Sequence, residues 1–369
     1  MGKQMQQDLS KKAFLSLVRL GIGHAVDPLP ETIDWEAVEN LALQQGLSGI
    51  IADGIERLSV DKRPPKKDLL QYIGLVMQDE TRYAIQQKAA CEMGLLFHEK
   101  SIRTYVLKGE VVAECYPKPE HRVSSDMDCF LVDEGEQLAS GDSQMTVWER
   151  GNRLIEDAGY EVERGFYKNS AFYFPGLMVE NHRFLVPFRG NKTLKRLERL
   201  LQENLLTDTK DDMFEGSWLY RPPVMVSALF LIEHAYSHFL HQGLTWRHVL
   251  DWMMFSRKHA NEIDWHAFDS SIDEFGFRKF YDSYYHLGQY LVCGISDDSL
   301  SQVDKMMLAD VWAPLDLHET IQGVKGKIAL AGNTWRARWK YKYFAEINWL
   351  QALWIQAWGV LFDKHPTLC

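Results

Sequence analysis

The chain has 369 residues, 46% of them apolar and 25% charged, with a net charge of −10. This composition excludes a disordered chain and predicts about two or three packed units. The acidic balance argues against a sequence-independent nucleic-acid binder, which needs basic surface to displace counterions.

Five scattered cysteines, Cys91, Cys115, Cys129, Cys293 and Cys369, show no Cys-x-x-Cys or Cys/His spacing. They read as reduced thiols of a cytoplasmic protein. The first residues lack a signal-peptide apolar run, and Gln6 stands where a myristoylation signal needs Ser or Thr.

Residues 1–100 read as helical. Ala13 to Val18 opens an apolar-periodic segment. Asp34 is placed to cap a helix through Leu43, with Trp35, Val38, Leu41 and Ala42 on one face. Pro64-Pro65 breaks the chain before a long helix from about Lys66 to Lys100.

Residues 101–190 change character. Thr104 to Leu107 reads as a strand, Gly109 to Tyr116 as a short helix stopped by Pro117 and Pro119, and Met127 to Val132 as a second strand. Val147 to Ala158 reads as a helix ended by Gly159. Tyr160 to Arg164, Ala171 to Phe174 and Leu177 to Phe184 alternate like antiparallel strands, with Pro175-Gly176 turning between the last two.

Residues 191–369 return to helix. Val224 to Leu240 carries His234 and His238, with His241 just beyond, and Trp246 to Lys258 carries Arg247 and Asp251 four residues apart. That pair predicts a packing or ion-pair contact at a seam. His234 and His238 could share a zinc ion, but no third ligand is apparent, and hydrogen bonds to neighbours fit them better. The last helix, about Trp335 to Leu361, holds Trp335, Trp339, Trp349, Trp354 and Trp358 beside Arg336, Arg338, Lys340 and Lys342. It fits a packing face, or a surface for a protein partner. The apolar run from Trp349 to Phe362 is too short to span a bilayer, so no membrane insertion is expected.

The chemistry concentrates in Asp126-Met127-Asp128. On a strand side chains alternate, so the two aspartates share one face and Met127, Cys129 and Leu131 the other. Paired carboxylates repel and cost desolvation, which points to a bound cation. Oxygen-only ligation suits Mg²⁺, or Mn²⁺. Lys108 and Arg122 supply nearby cations, and Gly109 a turn where backbone N–H groups can approach phosphate. Glu180 is the candidate third acid, in competition with Glu161 and Glu163. His182 alternates with Glu180 onto the same face.

Lys108-Gly109, Tyr116-Pro117, Arg122, Asp126-Met127-Asp128, Gly159-Tyr160 and Glu180-Asn181-His182 stand in an order that resembles a known family. So does the helical tail with His234, His238, Arg247 and Asp251. The family is the uncharacterised nucleotidyltransferases of the polymerase-β-like superfamily, and the likeness covers nearly the whole chain.

The resemblance implies an α+β nucleotidyltransferase sheet domain over residues 101–190, flanked by helical regions at 1–100 and 191–369. It implies transfer of a nucleoside monophosphate from a nucleoside triphosphate to an acceptor, with pyrophosphate released. The acceptor is left open: a protein, a small molecule or an RNA end. Asp126, Asp128 and Glu180 take the catalytic metal-ligand roles, and Lys108, Gly109, Arg122 and His182 handle the nucleotide. Glu110 directly after Gly109 keeps a second reading open, a non-catalytic nucleotide-sensing or partner-binding module. A metal-dependent phosphohydrolase is a third.

Overall fold

The computed structural model describes residues 2–24, 29–134, 145–164, 167–188, 190–313 and 335–354. Four helices come first: α1 (Gly2–Gly21), α2 (Trp35–Gln45), α3 (Ser48–Glu56) and α4 (Lys66–His98). Asp34 caps α2, its carboxylate accepting from the Ala37 N–H at 3.0 Å. Gly46, at φ 66°, closes the helix in the left-handed conformation. Helices α1 and α3 pack backbone to backbone. A Cβ on Gly21 would lie 2.1 Å from the Ile50 carbonyl oxygen, and one on Gly54 2.2 Å from that of Leu17.

The sheet is built from β1 (Ile102–Val106), β2 (Asp126–Asp133), β3 (Val162–Glu163), β4 (Asn169–Phe174), β5 (Leu177–His182) and β6 (Leu219–Tyr220). Their order is β3-β4-β5-β2-β1-β6. Strand β2 runs antiparallel to β1 and parallel to β5, and β6 runs parallel to β1. Strands β4 and β5 form a hairpin through Pro175-Gly176, where Gly176 takes φ 88°.

Between β1 and β2 lies the short α5 (Glu110–Ala113), and before β3 lies α6 (Val147–Asp157). A capping box between Thr146 and Glu149 starts α6. Helix α6 covers one face of the sheet. Its Gly151 makes room for Leu131, whose Cδ1 would sit 2.2 Å from an added Cβ. Its Trp148 Nε1 donates to the Asn181 carbonyl at 2.9 Å.

The remaining helices are α7 (Lys192–Leu206), α8 (Val224–His241), α9 (Trp246–Lys258), α10 (Trp265–Glu274), α11 (Arg278–Cys293), α12 (Gln302–Val311) and α13 (Arg338–Phe344). Helix α8 is buried nearly all round and lies against the other face, where the Phe230 ring sits 6.0 Å from that of His182. Each fully buried large apolar side chain of α8, such as Phe230, Ile232 and Phe239, contributes about 1.5–3 kcal/mol. The N-terminal and C-terminal helices also meet: Arg19 of α1 donates to the carbonyls of Leu291 and Tyr290 on α11. One apolar core therefore runs from Phe14 to Phe344.

Three expectations need correcting. Residues 191–369 are not purely helical, because β6 adds the edge strand beside β1. The helix expected over Gly109 to Tyr116 keeps only Glu110–Ala113. The long Trp-rich helix is broken: α13 ends at Phe344, Ala345 is extended, and helix resumes at residues 349–354. Asn348 and Gln351 cause the break by capping each other, side chain to backbone N–H, at 2.9 and 3.0 Å. Trp339 packs edge-on against Phe239, whereas Trp335 and Trp354 remain largely exposed. Trp358 and Leu361 lie outside the described residues. Among the described residues, no helix is long and apolar enough to cross a membrane.

Candidate functional site

Strand register builds the site. Asp126 pairs with Met178 and Asp128 with Glu180, across the parallel β2–β5 ladder. Paired residues point to the same side, so Asp126, Asp128 and Glu180 share the face toward α8. Met127, Cys129 and Val179 are buried on the opposite face. Glu163 lies in the same row but two strands beyond Glu180, exposed on edge strand β3, and Glu161 is exposed outside the sheet.

His182 sits between the carboxylates. Its Nε2 lies 2.9 Å from Asp128 Oδ1 and 3.7 Å from Glu180 Oε2, while its Nδ1 lies 3.2 Å from the Phe184 carbonyl. Acceptors on both ring nitrogens select the doubly protonated imidazolium. Burial and Lys168 oppose that charge, yet the bonds to Asp128 and Glu180 prevail and raise the pKa of His182. Burial likewise opposes ionisation of Asp128, but His182 and the nearby lysines hold its carboxyl well below the ordinary range. Asp126 moves the other way, raised first by burial and then by the Asp128 charge. Its Oδ1 accepts from Ser125 Oγ at 2.9 Å. Asn169 of β4 donates to Glu180.

Asp128, Glu180 and His182 each offer a ligand atom within 4.8 Å of the others, and Asp126 stands one pleat along the same strand face. The oxygens of Asp128 and Glu180, with Asp126 beside them, are the donors a hard divalent cation would take, in exchange for the His182 proton that now bridges the first two. His234 and His238 do not belong to such a group among the described residues.

Lys108 is buried, and its Nζ bonds His234 Nε2 at 3.3 Å. Among the described residues no carboxylate forms an ion pair with it. Burial lowers its pKa. Beyond it the rings of His234, His238 and His248 follow at 4.4 and 4.9 Å. Burial, reinforced by Lys108, pushes His238 down to about 3 and holds His234 far below its usual range, so His234 accepts as a neutral imidazole.

Gly109 turns the chain into α5 at φ 83°, a conformation that favours glycine. Arg122 reinforces this turn from within. Its Nε and Nη2 donate to the two oxygens of Asp251, each at 2.8 Å, and its Nη1 reaches the Gly109 carbonyl at 3.4 Å. Tyr116 donates to Asp251 at 2.8 Å. The expected contact at a seam is made with the sheet region: Asp251 pairs with Arg122, which engages both its carboxylate oxygens, and not with Arg247 four residues before it. Arg247 instead donates to the Val123 carbonyl at 2.7 Å. Glu110 is held against α4, where Gln87 donates to it at 3.2 Å, and burial raises its pKa to about 7.

Lys168 was not foreseen. It is buried just before β4, its Nζ 5.6 Å from the Phe230 ring centre, and its charge bears on Asp128 and His182. Counting back by twos from Ala171 would have placed Asn169 on the acidic face. Nothing in the sequence marks Lys168.

A mixed six-stranded sheet, with an Asp-x-Asp strand inside it, an acid on the neighbouring parallel strand and helices on both faces, defines an α+β nucleotidyltransferase domain. The chain belongs to the family of uncharacterised nucleotidyltransferases, which matches residues 31–292. That span contains every site residue described above. No curated protein and no solved structure matches the chain.

Proposed function

We propose that this protein transfers a nucleoside monophosphate from a nucleoside triphosphate to an acceptor with the help of Mg²⁺ or Mn²⁺. The observation that carries this reading is the register of Asp128 opposite Glu180, with Asp126 on the same face. These three carboxylates would hold the metal, and a metal bound there would supply positive charge to neutralise and orient the phosphoryl group.

The chain's own groups do the rest. Lys108 and Lys168 supply buried positive charge for the phosphates. The Gly109 turn lets backbone come close to them. His182 orients Asp128 and Glu180 against each other. Glu180, about a third exposed (36%), is the acid that would share the metal or take the proton of an acceptor hydroxyl or amine. In this reading Arg122 positions the Gly109 turn from inside and does not contact the nucleotide. The acceptor is a protein, a small molecule or an RNA end.

Calorimetric and thermal-shift titration with ATP and MgCl₂ tests the assignment. ATP at a hundred times its Kd adds about 2.7 kcal/mol to wild-type stability. Asp126→Asn with Asp128→Asn removes the metal-dependent part of this gain while the variant stays folded. Equal Mg²⁺-dependent affinity in the double variant sinks the site assignment. Release of phosphate in place of pyrophosphate points to hydrolysis.

A further inference from the structure

A cavity lies beside α8. Its volume is about 90 Å³, and its walls include Tyr236, Leu240, Phe275, Phe277, Tyr341 and Ile347. Two acids also line it, Glu233 and Glu346. The nucleotidyl-transfer reading uses none of these residues.

Glu233 is 1% exposed, and its Oε2 has no hydrogen-bond partner. Leaving a buried carboxylate oxygen unpaired is costly, so a fold that keeps one leaves a donor to come from elsewhere. Lys168 is near enough for its charge to act on Glu233, but the two form no ion pair. His241 uses its Nδ1 on the Ser237 carbonyl at 2.8 Å. At the mouth the Glu346 carboxyl group packs on Gly276, where an added Cβ would lie 2.6 Å from Glu346 Cδ. Gly276 takes φ 76°, so this close seat rests on glycine twice over, for space and for conformation.

Among the described residues no lysine or arginine forms an ion pair with either acid. The aromatic walls are fixed by their own packing, with Tyr236 edge-on to Phe277 at 5.2 Å and to Phe280 at 5.3 Å. Burial raises the pKa of Glu233 to about 7, and a cation beside it would hold it ionised; aromatic faces and the second acid at the mouth favour such a cation as well. The orphan oxygen requires that the cation carry N–H donors. The apolar walls suit an alkyl body, and the volume limits it to a few heavy atoms. We propose that this cavity binds a small primary ammonium ion with a short apolar tail, its N–H groups on Glu233.

Isothermal titration of the full chain with n-butylammonium chloride tests the proposal. n-Butanol serves as the uncharged control, and tetramethylammonium chloride as the cation without N–H donors. Saturable binding of n-butylammonium is expected, with neither control binding comparably. Glu233→Gln keeps the shape and removes the buried charge, and it weakens n-butylammonium at least about tenfold. Glu346→Gln at the exposed mouth weakens it severalfold and gives a second reading if the first variant folds poorly.

Absence of saturable binding overturns the proposal. So does equal affinity in both Gln variants, or binding of n-butanol as tight as that of the amine. Asp126→Asn with Asp128→Asn leaves n-butylammonium affinity unchanged, and Glu233→Gln leaves Mg²⁺-dependent ATP binding unchanged. A failure here is therefore distinguishable from a failure of the transfer reading.

Discussion

Arg122 and Asp251 are nearly inaccessible to solvent, and their side chains meet through two parallel hydrogen bonds. Such a pair contributes little net stability over an apolar substitute, but breaking it strands a buried charge. Asp251→Ala therefore lowers unfolding stability by about 3–5 kcal/mol. Urea denaturation measures it, and a loss below about 1 kcal/mol would show that the guanidinium finds another partner. The sequence named Arg122 but not its task, because the task is set by a residue 129 positions away. Strand alternation, by contrast, made the shared face of Asp126 and Asp128 legible, since that follows from backbone geometry alone. Glu180 could be told from Glu163 only through register, which fixes how far each lies from β2. Lys168 was invisible for the same reason as the role of Arg122: its surroundings are tertiary.

At the scale of elements, capping chemistry read well. Asp34 starts α2 as the sequence predicts, and the structure adds the Thr146–Glu149 box at the start of α6. The Asn348–Gln351 box was equally readable but was overridden by the continuous Trp-rich stripe. The glycines of α3 serve contacts that local sequence does not encode: Cβ atoms on Gly49 and Gly54 would lie 2.6 and 2.2 Å from the carbonyl oxygens of His121 and Leu17. Gly54→Ala forces α3 off the Leu17 carbonyl and destabilises the protein by about 1–3 kcal/mol, measurable by urea denaturation. A neutral result would mean that the helices separate without cost.

A second joint ties α3 to α4 through His121, whose ring nitrogens lie 2.8 Å from Asp53 and 3.1 Å from Glu80. Burial opposes the imidazolium, but the two carboxylates prevail and raise its pKa. A raised histidine stabilises fully below its unfolded value of about 6.5 and loses that contribution as pH rises through the folded value. Asp53, lowered by His121 and Lys118 against its burial, contributes above about 3.9 and loses this as pH falls through its folded value. His121→Gln therefore flattens the decline of Tm between neutral and alkaline pH. A wild-type profile already flat from pH 6 to 9 contradicts this account.

For the whole molecule, the sequence suggests helical, mixed and helical regions. The elements interleave across those bounds. Helix α1 reaches α11 through Arg19, β6 completes the sheet edge beside β1, and Lys108 rests on His234 of α8. Each is a long-range pairing that local composition does not encode. Strand β6 is only two residues long, too short for any periodicity to mark.

The Arg122–Asp251 clasp also orders events during synthesis. A ribosome that has made residues 1–190 has made every acid of the site, with His182 and Asn169 beside them, but not the groups that hold Lys108 and the Gly109 turn. The partner of Lys108, the edge strand beside β1 and the carboxylate that grips Arg122 are all still to come. The clasp on the Gly109 turn therefore closes only after α9 emerges. A chain ended before α9 carries the Asp-x-Asp strand without the carboxylate that fixes Arg122 against that turn.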